Sequence, residues 1–328
     1  MSEGEDQGQQ KKPLKLTDLE GVGDATAKRL RDAGIGSVET LAITPLRQLI
    51  QRAGLGEQTA LKLSSMARDL VGSGFISALE LYQKRKGMIR CTTGSKVLDK
   101  LLAGGIETQA MTELVGEYGT GKTQICLTLS VTAQLPPEKG GLGGGVIFFD
   151  TEGTFSSERI YEICQAMGLD PEPILNGILI SRVYTSDHQI LLLEQAFKIC
   201  QEEGIKLVVV DSLISHFRGE YVGRESLSER QQNLNSYLHK LMRLAEVFNL
   251  AVVVTNQAQA DPAQFFGNPN KPAGGHVLAH ACTHRIMLRR SKGQKRIAQI
   301  FDSPYIPFGE CVFQISKKGI EDAEEDKD

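Results

Sequence analysis

The segment Gly116-Glu-Tyr-Gly-Thr-Gly-Lys-Thr123 constrains this chain more than any other. Its spacing, G-x-x-x-x-G-K-T, requires a tight backbone turn with inward-facing amides. The flanks give that turn its context. Met111–Gly116 predicts a strand before it, and Gln124-Ile-Cys-Leu-Thr-Leu predicts a helix after it. Strand, loop and helix in this order require an α/β fold. The glycines let backbone N–H groups of Gly116, Glu117, Tyr118, Gly119, Thr120, Gly121 and Gln124 close around nucleotide phosphates. Lys122 supplies a mobile positive charge, and Thr123 offers a hydroxyl to Mg²⁺.

The chain around this loop alternates β-rich runs with amphipathic helices. Val146–Asp150, Ile178–Val183, Lys206–Asp211 and Leu250–Asn256 are further candidate strands. Helical patterns between them predict βαβ units and a mixed, mainly parallel sheet. The capping-box pattern Ser226-Leu-Ser-Glu229 predicts the start of a long helix. After His276, Arg285–Arg290, Arg296–Phe301 and Cys311–Ile315 read as hairpin strands. The basic run His284–Arg296 alternates and turns at Ser-Lys-Gly, so an exposed hairpin accounts for most of it.

Several polar residues stand at strand ends, where ligands of such sheets gather. Asp211 closes an apolar strand and can hold Mg²⁺ opposite Thr123, although a helix-capping Asp is the bland reading. Glu152 follows the strand ending at Asp150 and can polarise a water that attacks a γ-phosphate. Asp150 competes for that role but by position suits the turn. Gln257 ends another core strand and can report the γ-phosphate to the long, loop-like stretch Ala258–Gly275. Phe265 and Phe266 in that stretch suit insertion between bases, or equally a lid packed on the core. Ser215–Arg224 reads as a second loop, in which Arg218 and Arg224 can meet phosphates. Taken singly, each arginine reads as a solvated charge, and His280 as a structural histidine.

The N-terminal region has another character. Residues 1–12 are polar and predict a disordered tail, and the acidic end 321–328 reads likewise. Within residues 13–72, Gly21–Leu30 (GVGDATAKRL) aligns without gaps to Gly54–Leu63 (GLGEQTALKL). Two helix-hairpin-helix units in one small all-α domain are expected, with Gly21 and Gly23 exposing backbone N–H groups to DNA. Residues 73–90 read as a linker containing a helix, and residues 91–320 as the α/β core.

The formal net charge of −3 provides no global positive field, so any DNA contact must be local. Six scattered cysteines without C-x-x-C spacing argue against zinc or disulfides. No apolar run reaches membrane-spanning length and no signal-peptide pattern stands at the start, so a soluble protein with no membrane partner is expected.

Together the motifs resemble the RecA/RadA family of recombinases, on the archaeal RadA-type side, from about Leu16 to Ile320. The carriers are Thr93–Leu102, Gly105-Ile-Glu-Thr, Gly116–Gln124, Asp150–Phe155, Arg230-Gln-Gln, Thr255-Asn-Gln257 and Gly274–His280. Ala103 stands where a glycine is common, Gly219 where Ala is usual, and Glu225 where Gly is usual. The resemblance implies a RecA-type phosphate-loop ATPase core after a helix-hairpin-helix domain. It further implies ATP-dependent DNA pairing and strand exchange by a filament on single-stranded DNA.

ATP and Mg²⁺ are the implied cofactors, with K⁺ left open. Double-stranded DNA, other copies of the chain in a filament or ring, and recombination mediators are the implied partners, in the cytoplasm and at the nucleoid. Glu152 matches the catalytic glutamate, and Arg159 a residue stacked on adenine. Gln257 and His280 match residues linking the γ-phosphate to the DNA loops. The loops are 218–224 and 258–275, the latter including Gly274 and Gly275. Phe75-Ile-Ser-Ala78 matches a polymerisation motif that adds an edge strand to a neighbour. Asp302–Pro307 matches a segment capping a neighbour's ATP. An accessory paralog without strand exchange and a ring-shaped helicase are the alternatives.

Overall fold

Glycine-punctuated apolar helices and long β-branched runs bury different faces, and the chain divides accordingly into two compact units, Met1–Ala78 and Leu79–Asp328. The computed structural model describes residues 15–71, 74–86, 88–221, 223, 226–260, 270–273 and 275–324. Arg224, Phe265, Phe266 and Gly274, and the tail at residues 1–12, lie outside the described residues.

The first unit has a 3₁₀ turn at Leu16–Asp18 followed by α1 (Asp24–Asp32), α2 (Val38–Ile43), α3 (Leu46–Ala53) and α4 (Glu57–Leu70). Leu30, Val38, Leu41, Leu49 and Ala60 form its solvent-free centre. The two repeats open α1 and α4. In each, only the first glycine takes positive φ, +86° at Gly21 and +59° at Gly54. Gly23 and Gly56 are extended helix caps, so left-handed backbone is confined to one glycine per hairpin. Arg29 ties the repeats together, donating from Nε to the Ala53 carbonyl at 3.1 Å and from its guanidinium to the Gly54 carbonyl.

The second unit begins in α5 (Ala78–Lys86), followed by β1 (Arg90–Cys91), α6 (Lys96–Leu101), β2 (Ile106–Glu107), β3 (Met111–Gly116) and α7 (Lys122–Thr132). Next come β4 (Gly145–Asp150), α8 (Ser157–Met167), α9 (Pro171–Asn176), β5 (Ile178–Arg182), α10 (Ser186–Glu202) and β6 (Ile205–Asp211). Then follow α11 (Ser215–Glu220), α12 (Leu227–Phe248), β7 (Ala251–Ala260), β8 (Asn270–Pro272) and α13 (Gly275–Ala281). The strands β9 (His284–Arg290), β10 (Lys295–Asp302), β11 (Gly309–Ser316) and β12 (Gly319–Asp322) complete it.

The main sheet runs β12-β11-β10-β9-β3-β7-β6-β4-β5, with β8 paired to β7. It is parallel from β9 to β5 and antiparallel from β9 to β12. Val208, Val209 and Val210 are wholly buried, as a parallel strand covered on both faces requires. Alternation sends Phe148 and Val209 into one core and Phe149 and Val210 into the other. Among the described residues no helix is long and apolar enough to cross a membrane, and no group of side chains could hold a metal by His, Cys, Asp and Glu alone.

Five expectations change. β7 extends to Ala260 and pairs antiparallel with β8, so Gln257 lies within a strand and the stretch 258–275 has a hairpin base; Gly275 opens α13. Ser215–Glu220 is a helix, because Phe217 inserts into the core at 1% exposure. Ser226 forms no capping box: its backbone is already helical (φ −85°, ψ −3°), and its hydroxyl donates to the Gly223 carbonyl instead. Glu321 and Asp322 belong to β12 rather than to a tail. Asp322 accepts from the Ser95 hydroxyl at 2.7 Å and the Val97 amide at 3.0 Å, which secures the start of α6. Finally, His284 and Arg285 in the basic hairpin are buried. Arg285 pairs with the buried Glu113 at 2.6 Å.

Ala103 adopts φ +56°, which accounts physically for the residue type expected there, since glycine reaches this region without steric cost.

Glu107 on β2 is buried and densely bonded. Burial alone would raise its carboxyl, but the nearby His284 ring, the hydrogen bond from Tyr305 and the Arg90 charge outweigh it and hold the group at about 2. A depressed carboxylate stabilises the fold above its unfolded value near 4.5, and that contribution is lost as pH falls through about 2. Glu107→Gln should therefore cost on the order of 2–3 kcal/mol at pH 7. Denaturant unfolding of both proteins should show the gap closing in acid; a gap constant down to pH 2 would contradict the assignment.

Candidate functional site

The strand β3 delivers Gly116 to the sheet rim, and α7 starts at Lys122 behind Gly121. Gly119 and Gly121 take φ of +74° and +100°, which turn the chain back over the helix N-terminus. A Cβ on Gly116 would stand 2.5 Å from the Thr120 hydroxyl and 2.8 Å from the Leu288 carbonyl, and one on Gly119 would collide with the Arg290 guanidinium. The backbone carbonyl leaves no room for a larger residue at Gly116, and the positive φ strains one at Gly119. Lys122 Nζ donates to the carbonyls of Gly116 at 2.8 Å and Glu117 at 2.9 Å, closing the ring.

Asp211 at the end of β6 is oriented by two hydroxyls. Thr123 donates to its Oδ2 at 2.7 Å, and Thr255 from β7 donates to its Oδ1. Asp150 accepts from the amides of Gly153 (2.7 Å), Thr154 (3.1 Å) and Phe155 (3.4 Å) and is consumed by the turn. Glu152 is free of that turn. Its Oε1 accepts from Gln257 Nε2 at 3.2 Å.

Desolvation and the Asp211 charge push the Glu152 carboxyl up. Burial also raises Asp211, against the two hydroxyl bonds and the Lys122 charge. Lys122 is lowered by burial, and Asp211 and Glu152 oppose that shift. Glu152, Asp211 and Lys122 thus line a cavity of about 660 Å³. Its volume falls within the roughly 300–1,000 Å³ usual for small-molecule sites. Gln294, Arg296 and Ile315 also line it, from the β9–β10 turn, β10 and β11. No local motif marks these three; only the pairing of β10 with β11 brings them to the rim.

A second groove, of about 340 Å³, lies along α11 and is lined by Ser212, Ile214, Arg218 and Gly219. Gln257 lines both the cavity and this groove. Its neighbour Asn256 is buried and donates to Glu113 Oε1 at 2.7 Å and to the Ala273 carbonyl at 2.6 Å, which anchors the end of the β7–β8 hairpin beside β3.

A family profile for Rad51 matches residues 84–323. The chain belongs to the Rad51 family. A SAM-like tandem of helix-hairpin-helix motifs matches residues 14–69. A Metallosphaera sedula protein named DNA repair and recombination protein RadA is 48% identical over 322 residues, which cover 98% of this chain and 99% of the relative.

In this Rad51-family chain the other residues singled out from sequence have different surroundings. Arg159 on α8 does not line the cavity. Its Nε donates to Gln124 Oε1 at 2.9 Å, and its guanidinium bonds the Ser316 carbonyl. His280 is exposed on α13 and is also absent from the lining. Asp302 ends β10, 3.8 Å from Arg285, and Pro307 is exposed in the following turn. Phe75 is fully solvent-exposed just before α5, which starts at Ala78. Around Gly21 and Gly23 nothing lies within 4 Å of an added Cβ, so the backbone entering α1 is open.

Proposed function

We propose that this chain pairs homologous DNA and exchanges strands in recombinational repair, acting as an ATP-hydrolysing helical filament on single-stranded DNA. The observation that carries this reading is the position of Gln257, shared between the phosphate-loop cavity and the groove along α11. A side chain bonded to Glu152 on one side and lining the same groove as Arg218 on the other can couple nucleotide state to DNA contact.

The residues present fit ATP with Mg²⁺: a glycine cradle, a lysine in the loop, and a hydroxyl–carboxylate pair beside it. The backbone of Gly116–Gln124 and Lys122 hold the phosphates, Arg159 supports the base, and Glu152 orients and deprotonates the attacking water. Thr123 and Asp211 would hold Mg²⁺, which neutralises phosphate charge when bound. Gln257 and His280 relay the γ-phosphate to the DNA loops. K⁺ remains a second candidate ion.

Arg218 and Arg224, with Gly274 and Gly275, contact single-stranded DNA. Phe265 and Phe266 either stack on bases or pack as a lid. The open backbone at Gly21 and Gly23 meets duplex phosphates without reading sequence. Phe75 and Ala78 bind the next copy, whose β5 is a sheet edge with Ile180 47% exposed. Asp302 and Pro307 cap that assembly's nucleotide. A head-to-tail contact of this kind does not close on itself and builds a helix. Mediator proteins are further partners, at the nucleoid in the cytoplasm.

Electron microscopy with ATP and single-stranded DNA tests the assembly. Helical filaments with extended DNA are expected. Closed rings alone under the same conditions would move the protein to the ring helicases.

A further inference from the structure

Tyr305 is held from several sides. Its hydroxyl donates to Glu107 and lies 3.0 Å from His284 Nε2. His284 Nδ1 in turn lies 3.1 Å from Ser303 Oγ, which accepts from the amides of Tyr305 at 3.4 Å and Ile306 at 2.9 Å. Ile306 is buried in the core, whereas Phe308 just beyond is 74% exposed. The segment 302–307 is thus gripped from inside and presents its far side outward. The last grip comes from α5: the Arg85 guanidinium carbon lies 4.5 Å from the centroid of the Tyr305 ring.

Arg85 also reaches Glu107 Oε1, but at 3.8 Å, and that carboxylate already has Arg90 at 3.3 Å and His284 at 3.6 Å. Its charge is therefore redundant for Glu107. Its distinctive contact is the face of Tyr305, where a cation is attracted by the ring quadrupole. The Arg85 side chain is 42% exposed, too exposed for its loss to open the core. Arg85 and Ala78 stand at opposite ends of one helix, so a shift at Ala78 carries Arg85 with it.

We propose that Arg85 is a positioning residue: by its contact with Tyr305 it transmits the seating of Phe75–Ala78 on a neighbouring copy to the segment Asp302–Pro307, and so sets how that segment closes over bound nucleotide. The inference rests on the filament reading above, in which both segments face neighbouring copies. Polymer contact and nucleotide closure are then linked through the Arg85–Tyr305–Glu107–His284 clasp rather than arising independently.

The test is equilibrium binding of a fluorescent ATP analogue with Mg²⁺ to the full chain, with sedimentation and thermal melting in parallel. Arg85→Ala in the assembling protein should weaken binding by about fivefold or more, the lower end of ordinary coupling between sites. Its melting midpoint should match wild type. Arg85→Lys, which keeps a cation over the ring, should restore most of the affinity. Tyr305→Leu should reproduce the loss, and the pair together should be no worse than either alone, because one path is broken twice.

In a Phe75→Glu background, where no neighbour offers its segment, Arg85→Ala should change nothing. Unchanged affinity in the assembling protein, or an equal loss in both backgrounds, overturns the clasp. If Phe75→Glu alone alters neither assembly nor affinity, the filament reading falls first and the clasp with it.

Discussion

Glu152→Gln should hydrolyse ATP about 10²–10⁴-fold more slowly than wild type while still binding nucleotide and DNA, the range expected when a general base is removed. The variant keeps an oxygen for the bond from Gln257, so the wall of the cavity stays in place. What it loses is the ability to accept a proton. Steady-state hydrolysis and nucleotide binding, measured on the same samples, separate the two effects. A pH profile adds a second check. Because desolvation and Asp211 raise the Glu152 carboxyl, the wild-type rate should fall on acidification above the ordinary carboxylate range. The residual rate of the variant should lack that limb. Near-normal hydrolysis by Glu152→Gln would remove this residue from the chemistry. Asp150 is not an equivalent substitute, because its oxygens serve three backbone amides of the turn.

Phe75→Glu should leave well-folded monomers. The ring is fully exposed in the single chain and packs on nothing there, so the change costs the fold almost nothing. In the assembly the same carboxylate would be buried without a partner, which costs several kcal/mol. A loss of that size weakens each contact by roughly a hundredfold or more, since about 1.4 kcal/mol is a factor of ten. Sedimentation velocity should show one slow species, with a circular-dichroism spectrum equal to wild type. A variant that still sediments as polymer would show that Phe75 is not the anchor.

The parts of the fold readable from sequence are those with local signals. Strands β3, β4 and β6 are apolar runs ending in a glycine or carboxylate, and they emerge within a residue of their expected limits. The phosphate loop and the hairpin repeat carry their meaning in glycine spacing. Elements that depend on distant partners were hidden. β12 is short and ends in Glu-Asp, so it looks like part of a charged tail until β11 and α6 supply its partners. Arg285 reads as a surface charge because Glu113, its counter-ion, is on another strand.

The site divides along the same line. Lys122, Thr123, Glu152 and Asp211 each stand at a recognisable strand or loop end, Gln257 reads from sequence as another although it lies within β7, and all five meet around one cavity. Gln294, Arg296 and Ile315 reach it only through the pairing of antiparallel strands distant in sequence, which no spacing rule encodes. The Glu107–His284–Tyr305 cluster likewise joins three separate segments. Stretch 215–220 misleads for another reason: polar residues surround the single apolar anchor, Phe217, that holds it as a helix.

The most direct test of the central claim is strand exchange between homologous oligonucleotides by wild type and Lys122→Ala, with and without ATP. Lys122 closes the phosphate loop through two carbonyl bonds, and its ammonium carries the positive charge of that loop. Joint products that appear only with ATP and only with Lys122 are the predicted result. DNA-stimulated hydrolysis without any exchanged strand would contradict the account and identify an accessory protein of the same family.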